Sequence, residues 1–109
     1  TMTEEQVVDG LGALAHPVRL RVFRALVVAG QAGLTPATLQ ASLGIPATTL
    51  SFHLKDLTRS GLTTVERSSR HLIYRAAYDR MNGLIAYLTA HCCEGVDCGV
   101  VQQAPACVC

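Results

Sequence analysis

Pro46-Ala-Thr-Thr-Leu-Ser-Phe-His-Leu-Lys-Asp-Leu-Thr-Arg-Ser-Gly-Leu62 is the segment on which the fold turns. Leu50, Leu54 and Leu57 are four and three residues apart, so they stack on one face of a helix. The opposite side carries Thr48, Thr49, Ser51, Lys55 and Arg59, with only Asp56 against the cations. Short hydroxyls followed by cations suit hydrogen bonding to bases and phosphates. The segment is therefore predicted to be a DNA recognition helix, closed at Ser60-Gly61 by a left-handed glycine cap.

Upstream lies the support such a helix needs. Thr35-Pro36 is a start signal, with a hydroxyl at the cap and proline at the first helical position. The short helix that follows, residues 37–43, stops at Gly44, and Gly44-Ile-Pro46 turns the chain into the recognition helix. A short helix, a tight turn containing glycine and a second helix with a polar face make a helix-turn-helix. Many small helical bundles share that turn, so the neighbouring segments have to decide. Two further helices precede it. Residues 3–15 place Val7, Val8, Leu11 and Leu14 at helical spacing, interrupted by Gly10 and Gly12. A second starts at His16-Pro17, carries Val18, Val22, Leu26 and Ala29 on one face, and ends at Gly30 and Gly33.

Downstream the period changes from helical to two. Residues 62–67 and 71–75 are rich in β-branched and aromatic residues, and Ser68-Ser69 is expected to turn between them. Arg67 and Arg70 then stand at the tip of a hairpin. A basic-tipped hairpin directly after a helix-turn-helix is a wing, whose arginines can reach a phosphate or a narrow minor groove. The last helix is expected from Tyr78 to Cys93, with Met81, Leu84, Ile85, Leu88 and Cys92 in a stripe. That stripe and the one on residues 7–15 offer a surface to a second subunit. The expected organisation is a winged helix-turn-helix and dimerisation domain over residues 3–93, mainly α with a small β-hairpin, followed by a cysteine-containing tail over residues 94–109.

Composition agrees. A chain of 109 residues holds one core. Trp is absent and aromatics make up 5%, which argues against an aromatic platform for single strands. Formal net charge is only +1, but all nine Lys and Arg lie between Arg19 and Arg80, a window holding just Asp56, Glu66 and Asp79. Nine cations less three acids leave the centre at +6, between acidic ends. Nothing resembles a phosphate loop or a paired nucleophile and base, so no enzyme is expected.

All five cysteines fall near the end: Cys92, Cys93, Cys98, Cys107 and Cys109. A disulfide scaffold would spread them, and the count is odd. With no apolar run long enough to span a membrane, a reducing cytoplasm is expected, where clustered thiols point to metal or redox chemistry. Glu94-Gly-Val-Asp97 can loop Cys98 back to Cys92 and Cys93, giving three thiolates from one short segment. Zinc prefers four ligands, and His91 or Asp97 could supply the fourth. Trivalent arsenic takes three sulfurs in a pyramid and matches the set best on softness and ligand number. Antimony, a methylated arsenical and reversible thiol oxidation remain alternatives, as does a thiol-based metal-binding protein with no DNA role.

Leu14-Ala-His-Pro-Val-Arg-Leu20, Thr49-Leu-Ser-Phe-His-Leu-Lys-Asp-Leu-Thr-Arg-Ser-Gly-Leu62 and Ile73-Tyr-Arg75 together resemble the ArsR/SmtB family of bacterial metal-responsive repressors, over roughly residues 8–93. The resemblance implies a winged helix-turn-helix homodimer, paired through its terminal helices, that leaves a palindromic operator when an inducer binds. It also implies that Thr49, Ser51 and His53 belong to the recognition helix as DNA contacts; the position of His53, one before Leu54, leaves packing as its alternative role. Founding arsenic sensors carry Cys-x-Cys in the first helix of the helix-turn-helix, where this chain reads Leu34-Thr-Pro-Ala-Thr-Leu-Gln40. Zinc sensors place Asp and His ligands along the last helix, where Asp79 and His91 here stand twelve residues apart. The Cys92-Cys93-x4-Cys98 ending instead resembles a subgroup of arsenic repressors.

Overall fold

The computed structural model describes residues 2–92. In chain order it contains helices α1 (Glu4–Leu14) and α2 (Pro17–Ala29), a 3-10 turn (Gly30–Ala32), α3 (Pro36–Leu43), α4 (Ala47–Arg59), strands β1 (Thr63–Ser68) and β2 (His71–Ala76), and α5 (Tyr78–Thr89). Cys93, Cys98, Cys107, Cys109 and the proposed tail lie outside the described residues.

Side chains satisfy the first turns of three helices. Thr3 and Gln6 form a reciprocal capping box on α1. His16 Nδ1 accepts from the Val18 amide with Pro17 at the first position of α2. Thr35 accepts from the Thr38 amide ahead of Pro36 on α3. The α3–α4 connection is as short as the sequence predicts: Gly44 is left-handed, and its N–H closes on Gln40 O.

α4 is docked by its leucines. Leu50, Leu54 and Leu57 are at most 1% exposed. They form one cluster with Val22, Phe23 and Leu26 of α2, Leu39 of α3, and Leu62 and Ala76 at the base of the hairpin. Burying one such side chain is worth about 1.5–3 kcal/mol, so the cluster sets how α4 sits on the body. At its end, Gly61 (φ +86) leaves room for the Arg80 guanidinium, which donates to Ser60 O at 3.4 Å.

The hairpin is antiparallel, pairing Thr63 with Ala76 through Ser68 with His71. The turn is therefore Ser69-Arg70 and not Ser68-Ser69. Ser68 stays in the ladder, and Ser69 takes the positive φ (59°) that a two-residue loop demands. One pairing is invisible to periodicity. Leu34, between the 3-10 turn and α3, bridges Tyr74 with reciprocal bonds of 2.9 and 2.8 Å. Gly33 makes this approach possible. Its φ is +70°, and a Cβ there would lie 2.7 Å from both Ile73 Cγ2 and Tyr74 O. The wing is thus stitched to the α2–α3 connection.

α5 ends at Thr89, earlier than the expected Cys93. The Thr89 hydroxyl donates back to Ile85 O at 2.8 Å, Ala90 is extended (ψ 136°), and His91 has φ +58°. Cys92 therefore lies past the helix, exposed, rather than in its last turn. The apolar stripe also divides. Leu84 is buried and Met81 packs on the core, whereas Ile85 (53%) and Leu88 (59%) face outward. α1 does the same, with Val7 buried and Val8 (60%) and Leu11 exposed. Among the described residues no helix is long and apolar enough to cross a membrane.

Candidate nucleic-acid interface

With the leucines of α4 turned into the body, its other side is left to solvent. Thr48, Thr49, Ser51, Lys55 and Arg59 are all exposed, as the spacing requires. Beside them stands Phe52, an exposed aromatic that the pattern of hydroxyls and cations does not single out. Its signal was present: it is two positions from both Leu50 and Leu54 and so faces away from them.

The wing lies alongside. Ser51, Lys55 and Arg59 of α4 and Val65 and Tyr74 of the hairpin line a shallow groove between the two elements. Arg67, on β1 opposite Leu72, and Arg70, in the turn, are exposed at the hairpin's far end. Arg75 is engaged differently. It donates to Glu66 Oε1 at 2.7 Å and to Gln31 O at 2.6 Å, which braces β2 against β1 and the 3-10 turn. Its charge is neutralised in the sheet, while those of Arg67 and Arg70 are displayed.

A polar seam fixes α4 from behind. Arg19 of α2 donates to Ala13 O at 2.7 Å and to Asp56 Oδ2 at 3.1 Å, and Asp56 also pairs with Arg59 on its own helix. Asp56 is therefore a brace between helices and partly offsets Arg59, the cation nearest it. His53 belongs to this seam. Its ring is half-buried, with its centroid 4.6 Å from that of His16, and its Nδ1 is buried without a hydrogen-bond partner among the described residues. Burial first, then the neighbouring His16 and Arg19, lower its pKa below the usual histidine value, and Asp56 opposes them. This placement favours the packing role over direct contact. The reason is angular: His53 is adjacent to Leu54, so it borders the buried face.

The anticipated thiol site is represented here by Cys92 alone, three residues beyond the end of α5. Among the described residues no three His, Cys, Asp or Glu side chains group as metal ligands. Asp79 and His91, the candidate zinc ligands of this segment, lie at opposite ends of α5 and its exit.

The arrangement has known counterparts. A family model described as a helix-turn-helix domain matches residues 14–66. Over 84 residues the chain is 29% identical to the HTH-type transcriptional regulator YgaV of Escherichia coli (strain K12), covering 77% of this chain and 83% of that one. A solved structure described as a possible transcriptional regulator for arsenical resistance is similar with a TM-score of 0.65 at 28% identity, over 82% of this chain and 86% of the other. The homodimeric winged helix-turn-helix domain Mb0332 of Mycobacterium bovis, a possible ArsR-family regulator, is similar with a TM-score of 0.63 at 27% identity, over 83% of each chain.

Proposed function

We propose that this chain, a transcriptional regulator of the ArsR helix-turn-helix type, represses by binding operator DNA as a homodimer and is released by trivalent arsenic at Cys92, Cys93 and Cys98. One observation carries the DNA half: α4 shows solvent a face of hydroxyls and cations while its leucines are buried, with the displayed arginines of the wing beside it. Thr48, Thr49 and Ser51 address base edges, Lys55 and Arg59 address phosphates, and Arg67 and Arg70 extend the footprint. His53 holds the helix against His16.

Val8 and Leu11 of α1 with Ile85 and Leu88 of α5 supply an exposed apolar surface for the second subunit. A two-fold dimer offers two copies of α4 to successive major grooves about 34 Å apart, which calls for a palindromic site.

The inducer half rests on donor chemistry. Three thiolates suit a soft, three-coordinate ion. Cys92 follows a residue with positive φ and an extended one, so the phase of α5 does not dictate where its thiol points. Capturing an ion there would constrain the exit of a helix that carries the subunit surface, and so change the spacing of the two α4 helices. Shifting an operator from about 99% to 1% occupied needs a preference near 10⁴-fold, roughly 5.5 kcal/mol, between the two states. Two sites per dimer share it.

The experiment is operator binding by the full chain with and without arsenite, for wild type and for Cys92→Ser, Cys93→Ser and Cys98→Ser together. Release of the wild type and retention of the triple variant are expected. A triple variant that still lets go on arsenite would overturn the inducer site. Absence of salt-dependent duplex binding would overturn the DNA reading in favour of a thiol-based metal-binding protein.

A further inference from the structure

Phe52 is the one large apolar side chain on the outward face of α4, and it is 72% exposed. It stands about 200° round the helix from both Leu50 and Leu54. Thr48, four residues before it, and Lys55, three after it, share its row. The core takes Leu50, Leu54 and Leu57 from this helix and not Phe52. The apolar surface proposed above for a second subunit comes from α1 and α5, not from α4.

We propose that Phe52 is a specificity-determining residue, its ring packing on the 5-methyl group of a thymine in the major groove. This rests on the DNA-binding reading above. The hydroxyls around Phe52 can read donors and acceptors, and Lys55 and Arg59 can hold phosphates. Phe52 has no hydrogen bond to give, so what it recognises must be apolar. On the major-groove edge of a duplex the thymine methyl is the apolar group on offer. The faces of the bases, which a ring might otherwise stack on, are closed while the duplex is paired. Phe52 also lies in the N-terminal half of α4, the half that meets base edges in a helix-turn-helix.

The test begins by enriching a preferred site from a random duplex library with the full chain. Affinity is then measured with each thymine of that site replaced in turn by deoxyuridine, which removes the methyl and keeps the pairing. One position per half-site should lose about fourfold for the wild type, the worth of about one buried methyl, and nothing for Phe52→Ala. Changing that pair to C·G should weaken the wild type, and 5-methylcytosine should restore most of the loss. Phe52→Ala should bind the enriched site about tenfold more weakly, bind random duplex like the wild type, and melt at the same temperature. Equal sensitivity to deoxyuridine in wild type and variant, or none in either, would overturn the assignment while leaving DNA binding intact. Failure of the library to enrich, with no salt-dependent duplex binding, would overturn the DNA reading and this assignment with it.

Discussion

Gly33→Ala tests whether the wing is held by the contact that places it. Gly33 sits at φ +70°, ψ −176°, a region that is essentially glycine-only, and forcing alanine there costs about 1–3 kcal/mol. The new Cβ would also lie 2.7 Å from Ile73 Cγ2 and from Tyr74 O, one of them backbone that cannot rotate away. Overpacking of this kind adds about 1–3 kcal/mol. A combined loss of about 3 kcal/mol lowers the melting temperature by about 12–24 °C in a domain of this size. A typical domain has about 5–15 kcal/mol in hand, so the variant should still fold. Its hairpin, however, can no longer keep both Leu34–Tyr74 bonds, and the wing should shift relative to α4. Urea and thermal unfolding report the first effect, and duplex affinity below the variant's melting temperature reports the second. Gly12→Ala is the control. It lies within α1 with nothing inside 4 Å of its added Cβ, and should stabilise by about 0.5–1 kcal/mol. If Gly33→Ala melted within about 4 °C of the wild type, the steric argument would be refuted.

Arg67→Ala and Arg70→Ala should each reduce the slope of log affinity against log salt by about 0.9 if each arginine covers one phosphate; an unchanged slope would remove the wing from the backbone. Ile85→Asp with Leu88→Asp should leave a folded monomer in sedimentation, because both side chains are exposed in the single subunit, and a persistent dimer would place the subunit surface elsewhere. His53 has a folded pKa below its unfolded value of 6.5, so the unfolded chain takes up its proton first as the pH falls. The stability His53 contributes is thus complete above pH 6.5 and is lost progressively below it, down to the folded pKa. His53→Gln should flatten that decline in urea midpoints measured from pH 8 to pH 5, and a decline as steep as the wild type's would assign it to other groups.

The order of helices and the hairpin was legible because local signals agree with one another. Thr35-Pro36, Gly44, Pro46 and Ser60-Gly61 punctuate the helix-turn-helix, and the leucine spacing of α4 states which side is buried. The position of the turn is not local information, because a two-residue loop is defined by pairing: nothing distinguishes Ser68 from Ser69 until Ser68 meets His71. Apolar spacing carries α5 on to Cys92, whereas the helix is ended by an extended Ala90 and a left-handed His91.

Periodicity in the chain establishes which residues can share a face, because 3.6 residues per turn and alternation along a strand are properties of the backbone alone. That was enough for α4, its cationic side and the hairpin that follows it. Which of the sharing residues are used depends on distant neighbours. His53 is drawn into the seam by His16, Asp56 is occupied by Arg19, Arg75 by Glu66 and Gln31, and Gly33 is required by Tyr74. None of these partners is within a helical turn of the residue it constrains, so only packing decides them. Phe52 is the converse. Spacing places it opposite the leucines, but its exposure becomes informative only once the core is complete without it.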